Sequence, residues 1–142
     1  PMQWNHSTNA GFSSCKPEEL YIQIDPDKNR PTAQDALEGQ NSLYTEVRKL
    51  IAVRKEHQAL QNTALMEFVY VKESAYPLVY KRTGKEETVY IVLNPSGQDV
   101  ECEAEIPENA QVIYSNHDEA FYAEGVWKVP AASATYLAVS NK

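Results

Sequence analysis

Residues 99–106 read Asp99-Val100-Glu101-Cys102-Glu103-Ala104-Glu105-Ile106, an unbroken alternation of acidic and apolar side chains. Successive side chains of a β-strand point to opposite faces, so this period puts four carboxylates in water and Val100, Cys102, Ala104 and Ile106 against a core. A period of two recurs on both sides of this stretch, in residues 65–72, 78–82, 88–94, 111–114, 120–123, 126–129 and 134–139. Turn signals separate these runs at Tyr76-Pro77, Thr83-Gly84, Pro95-Ser96-Gly97, Pro107-Glu108-Asn109, Glu124-Gly125 and Pro130. Eight short strands at such intervals predict a mainly β chain, folded as an antiparallel sandwich or barrel with Cys102 and Trp127 inside.

Upstream the period changes. Residues 42–60 contain neither Gly nor Pro, and Leu43, Val47, Leu50, Ile51 and Arg54 recur at the spacing of one helical face. Asn41 or Ser42 can cap the first free N–H groups, and Arg54 and Lys55 suit the negative end of the helix dipole. The spacing predicts one helix that packs through its apolar stripe. Residues 1–40 are poor in apolar side chains and carry Pro1, Pro17, Pro26, Pro31, Gly11 and Gly39, which leaves only 20–24 able to form a short strand. A structureless stretch of that length is out of place in a compact domain. It reads as a loop that lies on another body of protein.

Charge and composition exclude several classes. With 13 Lys and Arg against 20 Asp and Glu, the 142 residues carry a formal charge of −7. That balance argues against nucleic acid, whose phosphates require clustered basic residues. No apolar run approaches the roughly 18 residues of a membrane-spanning helix, so no membrane partner is expected. The opening Pro1-Met2-Gln3-Trp4 has neither the basic nor the apolar region of a signal peptide. Cys15 and Cys102 provide neither a disulfide scaffold nor a zinc spacing, and they leave the compartment open.

Most chemistry-bearing residues have a simpler structural account. The row Asp99, Glu101, Glu103 and Glu105 has the ligand type for a cation, but alternation with buried neighbours already explains each position as a solvated face. His6, His57 and His117 share no ligand spacing, so neither a metal nor another cofactor is expected. Tyr70, Tyr80, Tyr90, Tyr114 and Tyr136 fall within strands, where tyrosine packs at core margins; exposed together, they would instead make a stacking platform for sugars. Trp4 has no regular element to explain it. Beside Gln3 it reads either as half of a sugar-facing pair or as a side chain packed on an absent neighbour.

The segment Pro1-Met2-Gln3-Trp4, followed after four residues by Asn9-Ala10-Gly11-Phe12-Ser13, resembles the α-amylase superfamily, glycoside hydrolase family 13. The likeness is to members that cleave short α-glucosides: oligo-1,6-glucosidases, α-glucosidases and trehalose-phosphate hydrolases. Asn41-Ser42-Leu43-Tyr44, leading to Leu50-Ile51-Ala52-Val53-Arg54-Lys55-Glu56-His57-Gln58-Ala59-Leu60, is similar to the last helix of that family's (β/α)8 barrel. Asn5 stands where members commonly have Asp, and Gln58 where they commonly have Pro.

The resemblance implies that residues 1–62 are the tail of a catalytic barrel and that 63–142 form the C-terminal β-sandwich, domain C. It implies a parent enzyme that retains configuration while hydrolysing α-glucosidic bonds in an α-glucan or short α-glucoside, with its catalytic carboxylates outside this chain. The sandwich would pack on the barrel of the same polypeptide, and Gln3, Trp4 and Asn9 would contact substrate or support that contact. The chain alone would be inactive. A carbohydrate-binding module working through surface aromatics is the alternative. Ser115-Asn116-His117-Asp118 also resembles the family's Asn-His-Asp signature, but there the signature precedes the Pro-Met-Gln-Trp segment, whereas here it follows. Asn and Asp at that point are turn residues.

Overall fold

Strand pairing in the computed structural model, which describes residues 1–39 and 42–141, follows from a run that is apolar on both faces. That run, β3 (Glu87–Asn94), reads Glu-Thr-Val-Tyr-Ile-Val-Leu-Asn and is buried or half-buried at every position. It lies at the centre of a five-stranded antiparallel sheet in the order β1 (Leu65–Lys72), β2 (Ala75–Thr83), β3, β8 (Ser133–Ser140), β5 (Gln111–Ser115). A second antiparallel sheet has the order β4 (Val100–Cys102), β7 (Val126–Val129), β6 (Phe121–Ala123).

The two sheets enclose one core. Val79, Val92 and Leu137 from the larger sheet meet Cys102, Trp127 and Val129 from the smaller, with Ala104, Ile106 and Ala120 closing the ends. This is the antiparallel β-sandwich that the alternation predicts. Asn94, wholly buried, joins the layers: its Nδ2 donates to Gln98 O at 2.8 Å and Pro130 O at 2.8 Å, and its Oδ1 accepts from Ser96 N and Oγ. Burial pushes the Cys102 thiol up to about 11.

The strand-by-strand expectation holds with local corrections. Residues 99–106 keep their alternation of exposure as far as Ile106, yet only Val100–Cys102 pair as β4. The partner β7 has only four residues and turns away at Glu124-Gly125, whose positive φ angles of 54° and 87° suit a two-residue hairpin. Tyr76-Pro77 lies inside β2, and the preceding hairpin turns at Glu73-Ser74, where Ser74 has φ 55°.

Helical expectations are corrected more deeply. The helix α2 covers Leu43–Glu56 and stops short of Leu60, because His57 adopts extended backbone and a separate 3-10 turn, Gln58–Leu60, follows. Its apolar stripe is not buried: Leu43, Val47 and Ile51 are 81%, 44% and 49% exposed, Leu50 is half-buried, and no residue of α2 is fully buried. Ser42 caps the helix by accepting from Thr45 N, while Asn41, the other cap candidate, lies outside the described residues. Residues 20–24 form no strand, since Pro26 and the Asp25–Asp27 turn break them before a partner can be met. A short helix that periodicity did not suggest, α1 (Ala33–Glu38), occupies part of the opening segment.

The chain divides into two compact units, Pro1–Lys49 and Leu50–Lys142.

Ile91→Ala, at a side chain 1% exposed, should cost about 2–5 kcal/mol in chemical denaturation. Glu103→Gln, on the solvated face, should stay within about 0.5 kcal/mol. Thiol labelling at pH 8 should modify half-buried Cys15 in the folded chain and reach Cys102 only on unfolding.

Candidate functional site: a braced loop carrying Trp4

Residues 3–16 are ordered by their own polar groups. Asn9, Ala10 and Gly11 all have positive φ, at 53°, 53° and 68°. Left-handed backbone is costly for a residue with a Cβ, and at Gly11 an added Cβ would also lie 2.8 Å from the Asn5 amide, so glycine is the residue that fits there without strain. The reversal lets Ala10 O accept from both Trp4 N at 2.9 Å and Asn5 N at 3.2 Å. Asn9, only 3% exposed, pins the far side by donating from Nδ2 to Cys15 O at 2.7 Å and Ser13 O at 3.2 Å.

The other edge of the segment is tied to α1. The first N–H groups of a helix lack internal partners. Here Gln3 O accepts from Ala33 N and Trp4 O from Gln34 N, both at 2.9 Å. Thr32 and Asp35 form a capping box: Thr32 Oγ1 accepts from Asp35 N at 3.1 Å, and Asp35 Oδ2 accepts from Thr32 N at 3.1 Å and from Thr32 Oγ1 at 2.7 Å. His6 Nε2 closes the arrangement at 2.9 Å from Asp35 Oδ2. The Thr32 hydroxyl first, and His6 second, hold the Asp35 carboxyl below the usual carboxylate range.

These bonds put the three residues singled out from the sequence on one loop in unlike states. Trp4 stands 51% exposed on braced backbone, a ring free to stack on a ligand. Gln3 donates to Pro31 O at 3.4 Å, while its Oε1 is buried without a partner. Asn9 is enclosed, its amide nitrogen engaged by the loop and its Oδ1 buried and unpartnered. The sequence offers His6 only as a histidine without ligand spacing and does not single out Thr32 or Asp35. Thr32-x-x-Asp35 was readable as a capping signal, but the His6–Asp35 pair spans 29 residues and has no sequence period.

The remaining candidates resolve as structure. Ser115-Asn116-His117-Asp118 is a turn: Asn116 Oδ1 accepts from Ala134 N, Asn116 Nδ2 donates to Ala132 O, and His117 Nδ1 accepts from Asp118 N. His117 and Asp118 side chains are 68% and 78% exposed. In the acidic row Glu101 pairs with Lys128, which holds the lysine ammonium above its usual range, with Glu124 adding to the effect. Among the described residues no group of three His, Cys, Asp or Glu side chains could hold a metal ion, and no helix is long and apolar enough to cross a membrane. Tyr114 is buried and meets Tyr136 edge-on at 64°, and Tyr122 meets Trp127 tilted at 55°. Neither pair is a coplanar platform. Burial holds the Tyr80 and Tyr136 hydroxyls above their usual range.

A braced loop and a helix leading into a two-sheet antiparallel sandwich define the fold class of the chain. Residues 1–63 match the family described as alpha amylase, catalytic domain. Oligo-1,6-glucosidase of Halalkalibacterium halodurans is 30% identical over 122 residues, covering 84% of this chain and 21% of that protein. Glucan 1,6-alpha-glucosidase of Streptococcus dysgalactiae subsp. equisimilis is 31% identical over 118 residues, covering 83% and 21%. Among solved structures, trehalose-6-phosphate hydrolase of Bacillus licheniformis superimposes with a TM-score of 0.76 at 23% identity, covering 99% of this chain and 25% of that one. The chain belongs to the α-amylase family, glycoside hydrolase family 13. It spans about a fifth of the length of the curated relatives it matches.

Because Asp35 is stabilised in its ionised form, the capping box should persist above the ordinary aspartate value of about 4 and fail as pH falls through the lowered one. Hydrogen exchange of the α1 amides should report that loss below pH 4. Thr32→Ala should weaken α1 by about 1 kcal/mol at neutral pH, read from the same amides.

Proposed function

We propose that this chain is the C-terminal portion of an enzyme that hydrolyses α-glucosidic bonds with retention, acting on an α-glucan or short α-glucoside. In this reading residues 1–62 complete the catalytic barrel and 63–142 are the sandwich that packs on and stabilises it. Retaining hydrolysis needs two carboxyl groups roughly 5–5.5 Å apart across the sugar, one protonating the leaving oxygen and one attacking the anomeric carbon. We assign both to the barrel portion outside these residues. Here Trp4 is the group that touches sugar, while Gln3 and Asn9 hold it in place or offer their free carbonyl oxygens to neighbouring donors.

One observation carries the structural half of the reading: the five-stranded sheet is apolar on both faces. One face makes the sandwich core. On the other, Val89 and Ile91 are buried under Ala59 and Leu60, and Tyr80, Leu93, Ile113, Tyr136 and Ala138 extend the apolar surface half-buried around them. Met66 and Phe68 continue it on β1, 51% and 65% exposed beside Arg82 and Tyr80. An apolar face on that scale is where another protein layer docks, and this reading assigns the same-chain barrel to it. The names of the relatives, oligo-1,6-glucosidase and glucan 1,6-alpha-glucosidase, favour α-glucosides as substrate.

The test compares the 142-residue chain with its full-length parent on isomaltose, maltose and a nitrophenyl α-glucoside. The chain should show no turnover and the parent should hydrolyse at least one of them. Trp4→Ala in the parent should lower kcat/KM by about 10- to 100-fold without abolishing it, as for a positioning contact. Paired His117→Ala and Asp118→Ala changes should leave activity nearly intact, and a loss of several orders of magnitude with the fold preserved would refute the turn assignment. Turnover by the isolated chain would overturn the reading as a whole.

A further inference from the structure

Residues 57–64 connect α2 to β1, and the sandwich grips them at more points than a connection requires. Two charged side chains on neighbouring strands address their main chain. From β2, Arg82 donates through Nε to Ala59 O at 3.2 Å, and through Nη2 to Gln61 O at 2.5 Å and Ala64 O at 3.3 Å. From the start of β3, Glu87 accepts from Ala59 N at 3.2 Å through Oε1 and faces His57 Nδ1 at 2.9 Å through Oε2. Ala59, held from both sides, is wholly buried against Val89 and Ile91. Gly84 permits the approach, since a Cβ there would lie 3.1 Å from Ala59 N and Cα. Gln61 Nε2 returns to Arg54 O and closes the end of α2.

Bonds with an ionised partner are stronger than neutral ones, and here five such contacts converge on eight residues. By contrast α2 fully buries none of its own side chains. β3 is paired to β8 from Glu87 to Asn94 and to β2 from Thr88 to Leu93. The local stability on either side of the attachment is therefore unequal.

We propose that residues 57–64 are a strap, fastened by Arg82 and Glu87 and seated by Gly84, whose detachment is a separate opening step. Its release frees the strap together with the C-terminal turns of α2 and uncovers Val89 and Ile91, while the eight strands stay folded. This step needs no substrate and is measured apart from the enzymatic reading.

The experiment is hydrogen exchange of the 142-residue chain by mass spectrometry, with Arg82→Met, Glu87→Ala and Gly84→Ala. The first two remove an anchor; the third crowds Ala59 without touching charge. Each should speed exchange in residues 53–64 by at least tenfold and hasten tryptic cleavage after Arg54 and Lys55, with β3 and β8 unchanged. Unaltered exchange in 53–64 in all three variants would overturn the proposal. Loss of protection throughout β3 and β8 at the rate of the strap would overturn it equally, because strap and sandwich would then open as one.

Discussion

The burial of β3 on both faces is the constraint from which the rest of the sandwich follows. A strand half-buried in a one-sided sheet alternates apolar and polar residues, whereas Val89, Tyr90, Ile91, Val92 and Leu93 leave no side for water. One set of these residues looks toward the smaller sheet and builds the core with Trp127 and Val129. The other set demands a second cover. Among the described residues the 3-10 turn Gln58–Leu60 lies over that face, and the charged side chains of Arg82 and Glu87 anchor it to the sheet.

The two compact units solve different physical problems. Leu50–Lys142 is held mainly by apolar burial, with Asn94 joining the layers and Arg82 and Glu87 anchoring residues 57–64. Pro1–Lys49 has little apolar side chain to bury, and its order comes from main-chain and side-chain hydrogen bonds around Asn9, Thr32 and Asp35. A loop built this way can hold an exposed indole at a fixed place, because the carbonyls of Gln3 and Trp4 cap a helix while the Trp4 N–H is engaged on the opposite edge. Positioning of that kind, with no titratable group in contact with substrate, is the role proposed for Trp4.

Much of the sandwich was legible in residue order. Alternation at 99–106 predicted the exposure of the acids and the burial of Cys102, Ala104 and Ile106 one by one, since the face a strand residue takes depends only on its parity. Parity carries no information about where a partner strand ends. The pairing of β4 for three residues only was therefore set by the length of β7. The stripe on α2 shows the complementary limit: a period of 3.6 specifies a face, but burial needs something opposite, and none of Leu43, Val47 or Ile51 is buried in this chain.

The sequence by itself determined the strand parity, the turn positions at Glu124-Gly125 and Pro95-Ser96-Gly97, and the motif in residues 1–13 that carries the family likeness. These depend on neighbours a few residues apart, where chemistry and spacing are one and the same. Only the tertiary structure decided that Asn9 is enclosed while Trp4 is exposed, that His6 meets Asp35, and that Arg82 and Glu87 seize the segment after α2. The contacts of His6, Arg82 and Glu87 join residues 18 to 30 positions apart, and no local period encodes which distant carbonyl or N–H a folded chain will bring within hydrogen-bond reach.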